Sequence, residues 1–161
     1  ARPTPKEKSM LVEGESAPDF ALTDDTGATV TLADYAGRRL LIYFYPRAFT
    51  PGCTTEACDL RDRHETFLRA GWQIVGISPD PPERLARFRE KHKLPFPLLS
   101  DPDHRVAEAY GAWGTKTSYG RQTRGMIRST FAVGPDGRIV EAWRNVRAAG
   151  HAERVSARLS V

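Results

Sequence analysis

With 161 residues, of which 40% are hydrophobic and 27% charged, the chain can form one sizeable core, and we expect a single domain over residues 11–161 after a flexible tail, residues 1–10. The longest apolar run is far below the roughly 20 residues of a membrane-spanning helix, and the first residues lack a signal peptide's apolar stretch, so we expect a cytoplasmic protein without a membrane role. The net charge is +4, but acidic residues dilute the basic ones and no aromatic-interleaved basic stripe occurs, which argues against nucleic-acid binding.

The first third of the chain predicts an N-terminal β-hairpin and a buried strand. Residues 18–23 and 28–32 are short strand-like runs on either side of a turn sequence, residues 24–27. A helical turn over 33–35 follows. Residues 40–45 are six consecutive apolar residues of β-preferring types, which predicts a strand buried on both faces.

A helix is predicted directly after this strand. Thr50 suits the N-cap, Pro51 suits the first helical position, and Gly71 suits the end of the helix. Residues 72–77 form a second apolar run, so strand, helix and strand predict a right-handed parallel crossover. The remaining predicted elements are a helix over 83–92, a strand over 96–99, a short helix over 105–110, hairpin strands over 127–133 and 138–143, and a closing helix over 152–159.

The predicted helix carries both cysteines of the chain, Cys53 in its first turn and Cys58 five residues later. Unpaired backbone N–H groups at a helix N-terminus stabilise an anion by about 0.3–1 kcal/mol, which is less than a reactive thiolate needs at neutral pH. The fold must therefore bring an arginine or lysine to Cys53. Two cysteines in a protein that is not secreted are more often catalytic or redox-active than a permanent crosslink.

The spacing of the two cysteines places them on different faces of the helix. Helix geometry separates their Cα atoms by roughly 8–9 Å, which exceeds the limit of about 7 Å for a disulfide. We expect Cys53 to face the core and Cys58 to face solvent. A disulfide between them requires the first turns of the helix to unwind, so oxidation should reduce helix content.

The order of elements predicts an α/β protein with a thioredoxin-like fold, in which helices flank a central mixed sheet and the β-hairpin is an N-terminal extension. A thiol–disulfide exchanger on this fold needs two sulfurs that are close in the resting protein. A Cys-x-x-Cys sequence at a helix start supplies them, whereas the four residues between Cys53 and Cys58 do not.

The region around the first cysteine resembles the peroxiredoxins. Residues 46–53 read PRAFTPGC, which contains the pattern Pro-x-x-x-Thr-x-x-Cys, and a remote arginine, Arg128, lies in the later sequence GMIRSTF. The further runs CTTEACDLRD, GISPD, FPLLSD and YGAWG resemble the bacterioferritin comigratory protein, or peroxiredoxin Q, branch. Arg47 stands where this branch usually has lysine, a change that preserves charge.

The resemblance implies reduction of hydrogen peroxide and small organic hydroperoxides. It assigns the attack on peroxide to Cys53 and the resolution of its sulfenic acid, as an intramolecular disulfide, to Cys58. Arg128 would stabilise charge on the thiolate and the peroxide oxygens, Thr50 would orient the peroxide, and Pro46 would shield the thiol from water. By the same resemblance, no metal or organic cofactor is needed, thioredoxin or a similar dithiol protein supplies electrons, and the protein is a monomer.

Several alternatives remain open from the residues alone. Cys58 could lack a resolving role, in which case an external thiol would resolve the sulfenic acid, and a dithiol exchanger on a thioredoxin fold is a further possibility. Thr50 and Pro46 also fit as an N-cap and a strand stop. Arg128 inside an apolar strand needs a partner, and Glu56 is a candidate.

Overall fold

The computed structural model describes residues 11–118 and 120–161, so the predicted tail over residues 1–10 lies outside the described residues. The strands are β1 (Ala21–Asp24), β2 (Thr29–Thr31), β3 (Arg39–Phe44), β4 (Trp72–Ser78), β5 (Leu98–Ser100), β6 (Trp113–Ser118), β7 (Arg121–Met126), β8 (Ser129–Val133) and β9 (Ile139–Arg144). The helices are α1 (Pro51–Arg69), α2 (Pro82–His92), α3 (Arg105–Ala109) and α4 (His151–Arg158), with a short 3-10 helix at Leu32–Tyr35. Among these described helices, none is long and apolar enough to cross a membrane.

Seven strands form one mixed sheet in the order β2-β1-β5-β4-β3-β8-β9. Strand β4 pairs in parallel with β3 and β5, whereas the other pairings are antiparallel. Strands β1 and β2 form the predicted N-terminal hairpin and extend the sheet at one edge. The predicted central mixed sheet is therefore confirmed.

Strand β3 lies in the middle of the sheet and is buried on both faces, as its apolar run predicted. Leu41 and Tyr43 pack in the cluster that α1, α2 and α4 cover. Leu40 and Ile42 pack in a second cluster on the opposite face, which includes residues of α3. Helices therefore flank the sheet on both sides, and the chain leaves β3 directly towards α1 and the two cysteines.

A glycine in β4 makes room for a buried aromatic ring of β3. Gly76 lies opposite Tyr43 in the parallel ladder, and a Cβ atom at Gly76 would lie 2.7 Å from the Tyr43 ring. A larger residue would therefore displace the ring from the core. Gly71 has a φ of +87°, a conformation that favours glycine, and directly follows Ala70, the C-cap residue of α1.

Some boundaries differ from the sequence prediction. The hairpin of β6 and β7 was not predicted, because its second strand reads RQTRGM and is largely exposed, without apolar alternation. The prediction placed Arg128 inside a strand, which is wrong: β8 begins at Ser129, so Arg128 lies in the connection from β7. Strand β1 begins at Ala21 rather than residue 18, and β5 covers Leu98–Ser100 rather than 96–99.

Candidate active site

The first turn of α1 places Cys53 at the end of the buried strand β3. Thr50 is the N-cap residue with extended backbone angles, Pro51 opens the helix, and Cys53 is 1% exposed. The Thr50 side chain does not cap the helix, however: its hydroxyl donates to the carbonyl oxygen of Arg47 at 2.7 Å. The Thr50 side chain therefore accepts no hydrogen bond from the backbone N–H groups of the first turn. These N–H groups keep the partial positive charge of the helix N-terminus.

Arg128 contacts both Cys53 and a buried carboxylate. Its Nη2 lies 3.3 Å from Cys53 Sγ, and its Nη1 donates to Glu56 Oε1 at 2.7 Å. Burial raises the pKa of Glu56 to about 7, and the neighbouring Arg128 limits that rise. Gly52 leaves space for the guanidinium, because a Cβ atom there would lie 3.2 Å from Nη2. The structure thus places a cation where a thiolate on Cys53 would need one.

A buried histidine lies behind Glu56. Nε2 of His151, the first residue of α4, is 2.7 Å from Thr130 Oγ1 and 4.0 Å from Glu56 Oε2. Burial, together with the nearby Arg154 and Arg128, lowers the pKa of His151 to about 4, so the imidazole is neutral at neutral pH. Sequence reasoning missed this contact, since one histidine at a helix start carries no distinguishing pattern.

The loop between β3 and α1 is fixed by residues that follow β4. Asp80 Oδ2 accepts the Ala48 N–H at 2.7 Å, and Arg84 Nη2 donates to the Ala48 carbonyl oxygen at 2.9 Å. Phe49 has a φ of +68°, a strained conformation for an aromatic residue, and its ring packs on Phe88 with centroids 5.1 Å apart. These contacts stabilise the strained loop, so Thr50 and Cys53 are positioned before any substrate binds.

An open pocket of about 590 Å³ lies beside Arg128. Pro46 is part of its wall, together with residues of β6 and of the segment after β9. The pocket is of a size that small organic ligands occupy in proteins. Within the described residues, no group of three or more His, Cys, Asp and Glu side chains could bind a metal ion.

The side chain of Cys58 contacts α2, whereas we expected it to face solvent. Its side chain is half-buried, and its Sγ is 3.8 Å from Nδ1 of His92, the last residue of α2. Arg61 Nη1 also donates to the His92 carbonyl oxygen at 2.8 Å. Both cysteines are free thiols and α1 is continuous between them, so a disulfide requires this helix to open.

Comparison with known proteins identifies the group to which the chain is related. Residues 14–142 match the AhpC/TSA family. The chain belongs to this family. A Mycobacterium tuberculosis protein assigned to the peroxiredoxins is 55% identical over 153 residues, which cover 95% of this chain and 98% of that protein. Peroxiredoxin Bcp of Bacillus subtilis is 48% identical over 143 residues, which cover 88% of this chain and 91% of the relative.

A solved structure supports the same assignment. The bacterioferritin comigratory protein of Xanthomonas campestris matches with a TM-score of 0.84 and 38% identity, over 94% of this chain and 96% of that one. The resemblance to this branch of the peroxiredoxins and the thioredoxin-like fold are therefore confirmed. The protein is a peroxiredoxin, an enzyme that reduces peroxides with a cysteine thiol.

Proposed function

We propose that this peroxiredoxin reduces hydrogen peroxide and small organic hydroperoxides through Cys53, that Cys58 resolves the oxidised thiol, and that thioredoxin or a similar dithiol protein restores both thiols. The observation that carries the proposal is the position of Arg128 Nη2, 3.3 Å from Cys53 Sγ beside an open pocket. The alkyl peroxide reduction activity of the Xanthomonas campestris relative supports the organic substrates.

In the first step, the Cys53 thiolate attacks the terminal oxygen of the peroxide. An S–O bond forms, the O–O bond breaks, and the departing oxygen takes a proton and leaves as water or an alcohol, with a sulfenic acid on Cys53. Arg128 stabilises the negative charge as it moves from sulfur to oxygen. The Thr50 hydroxyl donates to Arg47, so its lone pairs are free to accept a hydrogen bond from the peroxide O–H. Pro46 limits the access of bulk water.

In the second step, the sulfur of Cys58 attacks the sulfur of Cys53. An S–S bond forms, the S–O bond breaks, and the hydroxyl group leaves as water with the proton from the Cys58 thiol. Helix α1 must first unwind between the cysteines, and Glu56 lies in this segment. Unwinding therefore breaks the contacts of Glu56 with Arg128 and of Cys58 with His92. A dithiol protein then transfers two electrons and returns both thiols.

Steady-state turnover with three proteins tests this assignment. The wild type should consume peroxide with thioredoxin, thioredoxin reductase and NADPH, whereas Cys53→Ser should be inactive. Cys58→Ser should lose turnover with thioredoxin and keep turnover with dithiothreitol, because a small thiol can reach and resolve the sulfenic acid directly. If Cys58→Ser turns over with thioredoxin as fast as the wild type, Cys58 is not the resolving thiol and the enzyme uses an external one.

Three expectations from the sequence stay predictions: a single domain over residues 11–161, a monomeric state and a cytoplasmic location. Sedimentation of the reduced protein at several concentrations measures the second of these. A monomer of 17.9 kDa at all concentrations is the expected result.

A further inference from the structure

The pocket beside Arg128 has three cationic side chains in its wall and, among the described residues, no acidic one. The charged side chains of this wall are those of Lys116, Arg128 and Arg144, and the polar Asn145 also lines the pocket. Arg128 has a carboxylate partner in Glu56. Lys116 and Arg144 form no ion pair with any residue in the described part of the chain. Two positive charges in this wall therefore have no acidic partner among the residues that the structure describes.

Lys116 is the more constrained of these two cations. Its side chain is half-buried and passes over Gly125 of the neighbouring strand, where a Cβ atom would lie 3.6 Å from Cε and 3.7 Å from Nζ. Burial lowers the pKa of Lys116, Arg128 lowers it further, and Cys53 opposes this effect. An ammonium group that is partly desolvated beside another cation is stabilised when an anion binds near it.

Arg144 lines the same pocket as Arg128 and Lys116. It is the last residue of β9 and lies opposite Ser129, the residue after Arg128, in the antiparallel ladder. Asn145 has a φ of +56°, which turns the chain back, and the Val146 N–H donates to the Arg128 carbonyl oxygen at 3.1 Å. This turn therefore fixes the backbone next to Arg144 against the residue that contacts Cys53.

We propose that Lys116 and Arg144 form an anion subsite that binds the carboxylate of an organic hydroperoxide while its peroxide group faces Cys53. This inference rests on the proposed function and adds a substrate class to it. A pocket with charges of one sign and low-dielectric walls concentrates ligands of the opposite sign. Arginine and lysine bind carboxylates by charge-assisted hydrogen bonds. Hydrogen peroxide, which lacks a charged group, gains nothing from the subsite.

The test compares a short-chain hydroperoxy carboxylic acid with its methyl ester in single-turnover oxidation of Cys53, without reductant. We expect the wild type to react at least 10-fold faster with the acid at low ionic strength, and we expect this preference to decline as salt screens the charges. Arg144→Gln and Lys116→Met should each reduce the ratio of acid to ester. Arg147→Gln is the matched control, because Arg147 is exposed in the same segment and does not line the pocket. It should keep the ratio of the wild type.

The outcomes separate this inference from the proposed function. If the acid and the ester react equally fast while hydrogen peroxide is reduced, the anion subsite is refuted and the peroxidase assignment stands. If hydrogen peroxide does not oxidise Cys53 at all, the proposed function itself fails. If Arg144→Gln slows only the later reduction by thioredoxin, the cations bind an acidic surface of the reductant, and the substrate subsite is likewise refuted.

Discussion

Two buried titratable groups in the active site give the stability of the protein opposite pH dependences. Folding raises the pKa of Glu56 from 4.5 to about 7, so the folded state binds more protons than the unfolded state in this interval. Stability from this group therefore falls as pH rises from 4.5 to 7. Folding lowers the pKa of His151 from 6.5 to about 4, so the unfolded state binds more protons there and stability rises with pH.

The size of each effect follows from the difference between the two pKa values. Because one pKa unit equals 1.36 kcal/mol, each group changes the free energy of unfolding by roughly 3 kcal/mol across its interval. Both side chains are almost fully buried, with exposures of 0% for Glu56 and 1% for His151. In the wild type the two slopes nearly cancel between about pH 4.5 and pH 6.5. Single substitutions should reveal them.

Urea denaturation of the reduced proteins between about pH 4 and pH 8 measures these slopes. Relative to the wild type, the free energy of unfolding of Glu56→Gln should increase by roughly 3 kcal/mol as pH rises through this range. That of His151→Gln should increase by a similar amount as pH falls. Glu65→Gln is the control, since Glu65 is an exposed glutamate of the same helix with a surface partner, Arg69. Its difference from the wild type should vary by less than about 0.5 kcal/mol.

Parallel curves for Glu56→Gln and the wild type would refute this reasoning. They would mean that the pKa of Glu56 is the same in the folded and the unfolded protein, near 4.5, so that Glu56 is ionised in the folded protein at neutral pH. Its interaction with Arg128 would then be a full buried ion pair, strong enough to offset the cost of desolvation.

Three further substitutions test individual contacts of the site. Arg128→Met removes the donor to Cys53 Sγ and should slow single-turnover oxidation by hydrogen peroxide roughly 10- to 100-fold, because a hydrogen bond to a charged group contributes about 1.5–3 kcal/mol. Arg128→Lys should recover part of this rate. His92→Phe keeps an aromatic ring beside α1 but removes the contact with Cys58 Sγ, so disulfide formation after a peroxide pulse should accelerate about 5-fold; a slower step would instead make His92 a promoter of resolution. Thr50→Val removes the acceptor for the peroxide and should lower kcat/KM about 10-fold, whereas Thr50→Ser should keep it; equal values for all three proteins would exclude Thr50 from binding peroxide.

The parts of the fold with a strong local signal could be predicted from the sequence. The apolar run in β3 indicated a strand buried on both faces, and Pro51 and Gly71 marked the start and end of α1. The exposed hairpin of β6 and β7 could not be predicted in this way, because paired polar strands show no apolar alternation. That hairpin contributes Lys116, so the cationic wall of the pocket was not visible in the sequence.

The active site was likewise predicted only in part from the sequence. The sequence from Pro46 to Cys53 indicated a reactive thiol that needs a cation, and the resemblance to the peroxiredoxins named Arg128 as that cation. The contacts of Asp80 and Arg84 with the preceding loop could not be predicted, because they join segments that only the packed fold brings together. The position of Cys58 also depended on packing: helix periodicity gave its face but not the presence of α2 and His92 there.

The intact mass of the protein after one equivalent of hydrogen peroxide, without reductant, tests the central claim most directly. The wild type should lose two hydrogens as Cys53 and Cys58 form a disulfide, and its far-UV circular dichroism should show less helix. Cys58→Ser should instead gain one oxygen, as a sulfenic acid on Cys53, and should keep its helix content. A wild type that gains oxygen atoms and forms no disulfide would contradict resolution by Cys58, and a wild type that does not react would contradict attack by Cys53.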